Sequence, residues 1–236
     1  MNLKDILHDA GRYTCSDWTK LLLLGFTLLL LDLSNESASY GLKSHIFDYI
    51  FLVSGSILAL VEGGYAFRIV EETIKGSTEP PHFNRFYELL VHGLKHWIMI
   101  VTYAIFPSII IIIGVLFAVV DSDIGALIVI LGFILTFPFT IQWMGALLNM
   151  AHNHGSLKSA YHFRTIYKRI RLIGLKRLTV AYVGIFLVAS IITVTLRDSM
   201  SSTIPIFGIF IFQLILAPFI LIYTTRILGL VDKPLN

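Results

Sequence analysis

WIMIVTYAIFPSIIIIIGVLFAVVDSDIGALIVILGFILTFPFTIQWMGALLNM, residues 97–150, decides the class of this chain. Its only formal charges are Asp121 and Asp123, which divide it into two uncharged runs, Trp97–Val120 and Ile124–Met150. A helix needs about 20 apolar residues to cross the hydrocarbon core, because every backbone amide must find its partner inside the segment. Both runs exceed that length.

Working outward, Leu178–Leu196 and Ser199–Thr225 are equally free of charge. Two weaker runs precede them: Leu21–Leu33 carries Asp32, and Ile46–Phe67 carries Asp48 and Glu62. Asp32 and Asp48 fall at one end, within reach of headgroups and water, so both runs are read as spans. The composition agrees, with 56% hydrophobic and 14% charged residues where soluble domains carry about 25% charged. The sequence therefore predicts an all-α, polytopic membrane bundle of about six transmembrane helices. The first residues, MNLKDILHDAGRYTCSDWTK, lack the pattern of a secretory signal and are expected to stay in the mature protein. Cys15 is the single cysteine, so no internal disulfide forms; it is either an inert thiol or an acylation site beside the first span.

With six spans the connections alternate sides, and Lys and Arg choose the orientation. One side receives Lys4, Arg12 and Lys20, then Arg68, Lys75, Arg85 and Lys95. The same side receives Lys158, Arg164, Lys168, Arg169, Arg171, Lys176 and Arg177, and finally Arg226 and Lys233. Only Lys43 and Arg197 remain opposite, which predicts that both termini are cytoplasmic. Trp18, Trp97 and Trp143 fall near the same ends, where amphipathic indoles favour the interface.

The cytoplasmic segments contain a repeat. Phe83, Phe86, Tyr87, Leu90, Val91, Leu94 and Trp97 recur at intervals of three and four and predict an amphipathic helix before the third span. Phe163, Ile166, Tyr167, Ile170 and Ile173 do so before the fifth, and Leu3, Ile6, Leu7 and Ala10 before the first. His82-Phe83 leads to Gly93-Leu94-Lys95 as His162-Phe163 leads to Gly174-Leu175-Lys176, while Gly76-Ser77 matches Gly155-Ser156. Tyr65-x-x-Arg68-Ile69 and Tyr223-x-x-Arg226-Ile227 end the second and sixth spans. A single membrane domain of three parallel units follows, 1–76, 77–155 and 156–236, each an interfacial helix and two spans. An even number of spans per unit implies a pseudo-threefold axis along the membrane normal. The alternative is that amphipathic helices beside a membrane share this spacing without common origin.

The stretch GGYAFRIVEETIKGSTEPPHFNRFYELLVHGLKHWI, residues 63–98, has Gly-Tyr, Arg-Ile and Pro-Pro before an amphipathic helix. It resembles the archaeal membrane family named domain of unknown function 4013, itself distantly similar to membrane regions of some glycerophosphodiester phosphodiesterases. The resemblance implies six spans and an archaeal source, and it supplies no catalytic residue.

Three groups of residues are candidate sites. Glu62, with Arg68 and Arg226, forms a candidate ion or gate site, because a carboxylate in a span must be paired, protonated or wetted; the alternative is an interhelical ion pair. Gly63, Gly64 and Gly145 are candidates for close helix packing. Lys158, Arg164, Lys168, Arg169, Arg171, Lys176 and Arg177, interleaved with apolar residues, predict a helix on an anionic leaflet. Single-stranded nucleic acid also accepts bases with aromatics, but the apolar face would then lack lipid, so no nucleic-acid partner is expected. His92 with His96, and His152 with His154, have metal-ligand spacing but no third fixed ligand, so no metal is assigned. Gln142, Asn149 and Gln213 are read as packing elements, and Pro107, Pro138 and Pro218 as kinks. Phosphate-binding glycine loops, Gly-x-Ser-x-Gly nucleophiles and paired intramembrane aspartates are absent from the sequence.

The expectation is a non-enzymatic membrane protein without cofactor that binds or organises anionic lipid and assembles with its own copies. The alternatives are a small channel or transporter, and an accessory membrane subunit of a larger complex with an unidentified partner.

Overall fold

The computed structural model describes residues 3–39, 45–197, 208 and 210–232, and these form helices and their connections without a strand. Helix α1 (Leu3–Thr14) precedes α2 (Trp18–Ser39), α3 (His45–Lys75), α4 (Phe86–Phe117) and α5 (Ser122–His152). A 3-10 turn, Leu157–Tyr161, leads to α6 (Phe163–Ile173) and α7 (Leu175–Ile191), which continues as a wider turn through Ile192–Arg197. Another wide turn, Phe212–Leu216, opens into α8 (Ala217–Val231).

Among the described residues, five helices are long and apolar enough to cross a membrane: Tyr49–Lys75, Phe86–Phe117, Ser122–His152, Leu175–Thr195 and Phe212–Val231. A sixth arises if α1 and α2 count together, bent by 82° between them. Their outward faces are apolar, with Ile112, Leu116, Leu127, Ile130 and Phe133 all at least half exposed. Water would penalise such a surface and hydrocarbon does not.

The chain forms two compact bodies, one of Met1–Leu94 with Val180–Asn236 and one of Lys95–Thr179. In the first, Leu21, Leu24 and Leu28 of α2 pack against Val61, Tyr65 and Ile69 of α3 and Ile222 of α8. α3 and the start of α4 cross closely: a Cβ on Gly64 would overlap the Leu89 carbonyl, and one on Gly93 the Leu60 carbonyl. In the second, α4 and α5 make a hairpin whose turn is capped by Asp121, which accepts from the amides of Asp123 (3.0 Å) and Ile124 (3.1 Å). Gly132 fits over Ile111 along the same contact.

Several boundaries depart from the expected ones. The helix predicted from Phe83 begins at Phe86 and runs without a break into the third span. Phe83 lies in the preceding loop, stacked on Tyr65 at 4.1 Å. Its expected apolar face points outward, with Tyr87 78% exposed, while Leu89, Gly93 and His96 turn inward. The reason is the glycine crossing, which demands the smallest side chains rather than the largest. The final helix ends at Val231, beyond the predicted Thr225, because Arg226 is held inside the protein. The start of that predicted span, with Lys43 and the terminal residues, falls outside the described residues.

Candidate functional site

The connection after α3 is the most constrained feature of the first body. Gly76 (φ 96°) stops the helix, with Ser77 N–H donating to Glu72 O (2.9 Å) and Gly76 N–H to Thr73 O (3.1 Å). This pair of bonds is a Schellman cap, and glycine suits it because a Cβ disfavours left-handed backbone. The loop that follows, Ser77 to Arg85, has two prolines and no ladder to take its carbonyls. Side chains take them instead. Lys20 Nζ donates to Pro80 O (2.7 Å), Tyr65 Oη to Pro81 O (3.0 Å), and Arg68 Nη1 to His82 O (3.1 Å) and Asn84 O (2.8 Å). Arg226 Nη1 donates to Ser77 O at 2.8 Å.

Arg226 is the centre of this arrangement. Only 2% exposed, it pairs with Asp9 of α1 (2.8 and 2.9 Å), donates to Thr73 of α3 (3.2 Å) and lies over the Tyr13 ring at 4.0 Å. A buried guanidinium needs this many partners, since desolvation costs more than one pair returns. Arg68 pairs with Glu88 at 3.5 Å, and Lys20 with Asp17 at 3.0 Å. Hydrogen bonds from the Lys20 backbone and side chain hold the Asp17 carboxyl below the usual aspartate range. Burial pushes the Tyr13 phenol up to about 12, against a partial pull downward from Arg226.

The two Tyr-x-x-Arg motifs of the repeat therefore send their arginines to one loop. The surrounding cavity, about 430 Å³, is lined by Lys20, Arg68, Lys75 and Arg85 and equally by Glu71, Glu72, Glu79 and Glu88. Such balanced charge selects neither anions nor cations.

The expected grouping of Glu62, Arg68 and Arg226 is not one site. Arg68 is committed to the loop and Arg226 to Asp9, while Glu62 lines another cavity with Asp32, Gln213 and Thr224. Nor is Glu62 in the last turns of its helix. It lies midway along Tyr49–Lys75, thirteen residues from each end, because the loop satisfies the polar groups of the final turns and lets α3 continue.

The second body repeats the loop device. Gly155 (φ 70°) turns the chain after α5, with its N–H donating to Met150 O at 3.0 Å. Lys95 Nζ donates to Gly155 O (2.9 Å), Tyr103 Oη to Ala160 O (2.8 Å) and Asn149 Nδ2 to Ser159 O (2.8 Å). Asn149, read from sequence as a packing element, is a buried clamp on the next connection; only its place near Gly155 hinted at this.

Residues 48–197 match the family profile described as protein of unknown function (DUF4013). The chain belongs to the DUF4013 family. It is 26% identical over 161 residues to the uncharacterized protein MJ0233 of Methanocaldococcus jannaschii, covering 64% of this chain and 58% of that protein. It is 25% identical over 198 residues to the uncharacterized protein MJ1189 of the same organism, covering 72% of this chain and 70% of the relative. The chain thus spans somewhat over half of the first relative's length. No solved structure matches. These matches give no support to the expected likeness to glycerophosphodiester phosphodiesterases, and they carry no assigned activity.

The matched region of this DUF4013 chain includes α6. Its isoleucines, Ile166, Ile170 and Ile173, are buried, and Ile166 and Ile170 pack on Gly145 of α5, where a Cβ would meet Ile170 Cγ1 at 2.8 Å. Gly145 and Gly64 thus serve helix contacts within the protomer. Phe163, Tyr167 and Leu172 remain more than half exposed. Of the seven predicted headgroup cations, Lys158, Arg164, Lys168, Arg171 and Lys176 are exposed, whereas Arg169 and Arg177 are partly buried. Arg171 folds over the Tyr167 ring at 4.7 Å. The paired histidines go to packing: His92 meets the edge of Phe67 at 5.0 Å and His96 stacks on Trp143 at 5.9 Å. Among the described residues, no three His, Cys, Asp or Glu side chains form a metal-holding group. Cys15 is an exposed thiol.

Proposed function

We propose that this protein is a non-enzymatic component of the cell membrane that binds and organises anionic lipid, with both termini cytoplasmic. The carrying observation is α6, whose buried isoleucine stripe fixes it to α5 while exposed Phe163, Tyr167 and Leu172 share the outward surface with Lys168 and Arg171. Aromatics at headgroup depth beside cations suit an anionic interface, each base contributing about 1 kcal/mol near it. A groove of about 460 Å³ between α4 and α5, lined by Ile100, Tyr103, Pro107, Phe133 and Phe139, gives an acyl chain an apolar bed. Trp143 lines its edge.

The orientation draws support from the loop clamps. In the first body, Arg12, Lys20, Arg68, Lys75, Arg85 and Arg226 line neighbouring cavities around the Ser77–Arg85 loop. In the second, Lys95 bonds the connection that leads to α6. Bases separated widely in sequence therefore meet at one end of the first body, as the alternation of six spans requires. The recurrence of a positive-φ glycine, a lysine and a tyrosine at both connections likewise supports the three parallel units, 1–76, 77–155 and 156–236.

Self-assembly is the second part of the proposal. With Gly64 and Gly145 used inside the protomer, it must run through other outward faces, and native mass measurement of the extracted protein tests it.

The decisive test of lipid binding is partition of purified protein, reconstituted in nanodiscs of mixed neutral and anionic phospholipid, followed by analysis of retained lipid. Wild type is expected to enrich the anionic species, and Lys168→Glu/Arg171→Glu to lose that enrichment. Equal retention by the two proteins would overturn the proposal.

A further inference from the structure

The exposed cations of α6 are ordered more tightly than attraction to a charged surface requires. Arg164, Lys168 and Arg171 follow one another at intervals of four and three, and all three are exposed. At 3.6 residues per turn they fall within about 60° of one another around the helix axis and form one ridge about 10 Å long. The buried Ile166, Ile170 and Ile173 occupy the opposite side, with exposed Phe163 and Tyr167 between the two faces. Because Ile166 and Ile170 seat on Gly145 of α5, the ridge is held in place.

Two further observations bear on what the ridge meets. Residues 124–197 contain no Asp or Glu, so neither α6 nor α7 offers a carboxylate to neutralise it. Arg171 is also held back along the helix. Its guanidinium lies over the Tyr167 ring at 4.7 Å, and Nη2 donates to Tyr167 Oη at 3.3 Å. This fold brings the planar fork back by about one turn, toward the level of Lys168. A cation already held in position loses less freedom when it takes a ligand.

We propose that this ridge selects lipid headgroups carrying two phosphates over those carrying one, an inference that rests on the anionic-lipid reading of α6. Three fixed cations in a row face more than one phosphate at a time. Lipids with a single phosphate must each be gathered and immobilised separately, whereas a headgroup with two bridged phosphates brings the second by tethering. Side chains one turn apart, such as Arg164 and Lys168, stand about 5–6 Å apart at Cβ, a separation that suits two phosphates on a short bridge. The Arg171 fork takes one phosphate through two parallel hydrogen bonds. Phe163 and Tyr167 commit the ligand to a lipid, because a soluble diphosphate would leave both rings in water.

The test reconstitutes the full chain in phosphatidylcholine nanodiscs that contain cardiolipin, with two phosphates, and phosphatidylglycerol, with one, at equal total anionic phosphate; the lipid retained after extraction is then analysed. Wild type is expected to retain cardiolipin over phosphatidylglycerol by about tenfold or more per phosphate. Thr165→Lys/Lys168→Thr exchanges two exposed residues without changing composition or net charge, and turns one cation about 100° away from Arg164. It is expected to keep the enrichment of anionic over neutral lipid and to lose the preference between the two anionic species. Arg171→Lys keeps the charge without the fork and is expected to lose part of that preference. Inorganic pyrophosphate at the same phosphate concentration is expected to leave the retained lipid in place. Equal retention per phosphate by wild type, wild-type preference in either folded variant, or displacement by pyrophosphate overturns the proposal. The two readings separate in the same samples: enrichment of both anionic lipids without preference removes this inference alone, and enrichment of neither removes the anionic-lipid reading beneath it.

Discussion

Replacing Arg226 with methionine removes one side chain that ties four parts of the first body together. Its guanidinium bonds Asp9 in α1, Thr73 in α3 and the Ser77 carbonyl in the loop, and its own helix is α8. Breaking a buried ion pair costs about 3–5 kcal/mol when the partner stays buried. Asp9 is 39% exposed in its side chain, so it rehydrates, and the lower end of that range applies. The orphaned Ser77 carbonyl and the lost contact with the Tyr13 ring each add about 1 kcal/mol. Methionine recovers part of this by filling the space with an apolar chain of similar length. The expected net loss is ~3 kcal/mol, read by unfolding the micelle-embedded protein with increasing SDS and following helicity. A double-mutant cycle with Asp9→Asn isolates the pair, with an expected coupling of about 1–2 kcal/mol. A loss under about 1 kcal/mol, or strictly additive single effects, would refute the view that Arg226 organises this end of the protein.

Two further outcomes follow from the same packing. Gly64→Leu should destabilise by about 2–3 kcal/mol, because any side chain there meets the Leu89 backbone rather than a flexible neighbour; a wild-type SDS midpoint would contradict the close crossing. The Tyr13 phenol, raised to about 12 by burial, titrates above ordinary tyrosine in ultraviolet difference spectra. Since the folded value exceeds the unfolded one near 10, its contribution is intact below about pH 10 and is lost as pH rises through about 12. A Tyr13→Phe protein that keeps the same alkaline stability profile as wild type would disprove this assignment.

The spans were legible because hydrocarbon imposes a length and an absence of charge that a single sequence displays directly. Trp97–Val120 and Ile124–Met150 are recovered inside α4 and α5 nearly as read. The faces of the helices were less legible, and α4 shows why. In water the largest apolar residues go inside, but a membrane helix has apolar surroundings on every side, so Tyr87 and Trp97 face outward and Gly93 faces the neighbour. Hydrophobic periodicity then marks the lipid as readily as the core. The three candidate gate residues separate in the structure for a different reason. Glu62, Arg68 and Arg226 attract attention equally as charges in or near spans, yet their partners are a cavity, a loop carbonyl array and α1. Loop carbonyls leave no trace in residue types, and Pro80-Pro81 was the only hint that the loop lacks backbone donors of its own.

That loop explains why the first body spends buried cations where a soluble protein would use a helix or sheet. A connection beside the membrane is half withdrawn from water, so its carbonyls lose their hydration without gaining a ladder. Lys20, Arg68 and Arg226 supply donors that keep their charge, and Asp17, Glu88 and Asp9 return the counter-charge from the wetter side. In the second body the same need is met by Lys95, Tyr103 and the uncharged Asn149. The conserved element between the two solutions is thus the supply of donors just past a left-handed glycine, and the charge is secondary. On that reasoning the terminal arginine of each Tyr-x-x-Arg motif serves the fold before any gate, and the unabsorbed carboxyl of Glu62 stands apart as the group whose purpose the packing does not meet.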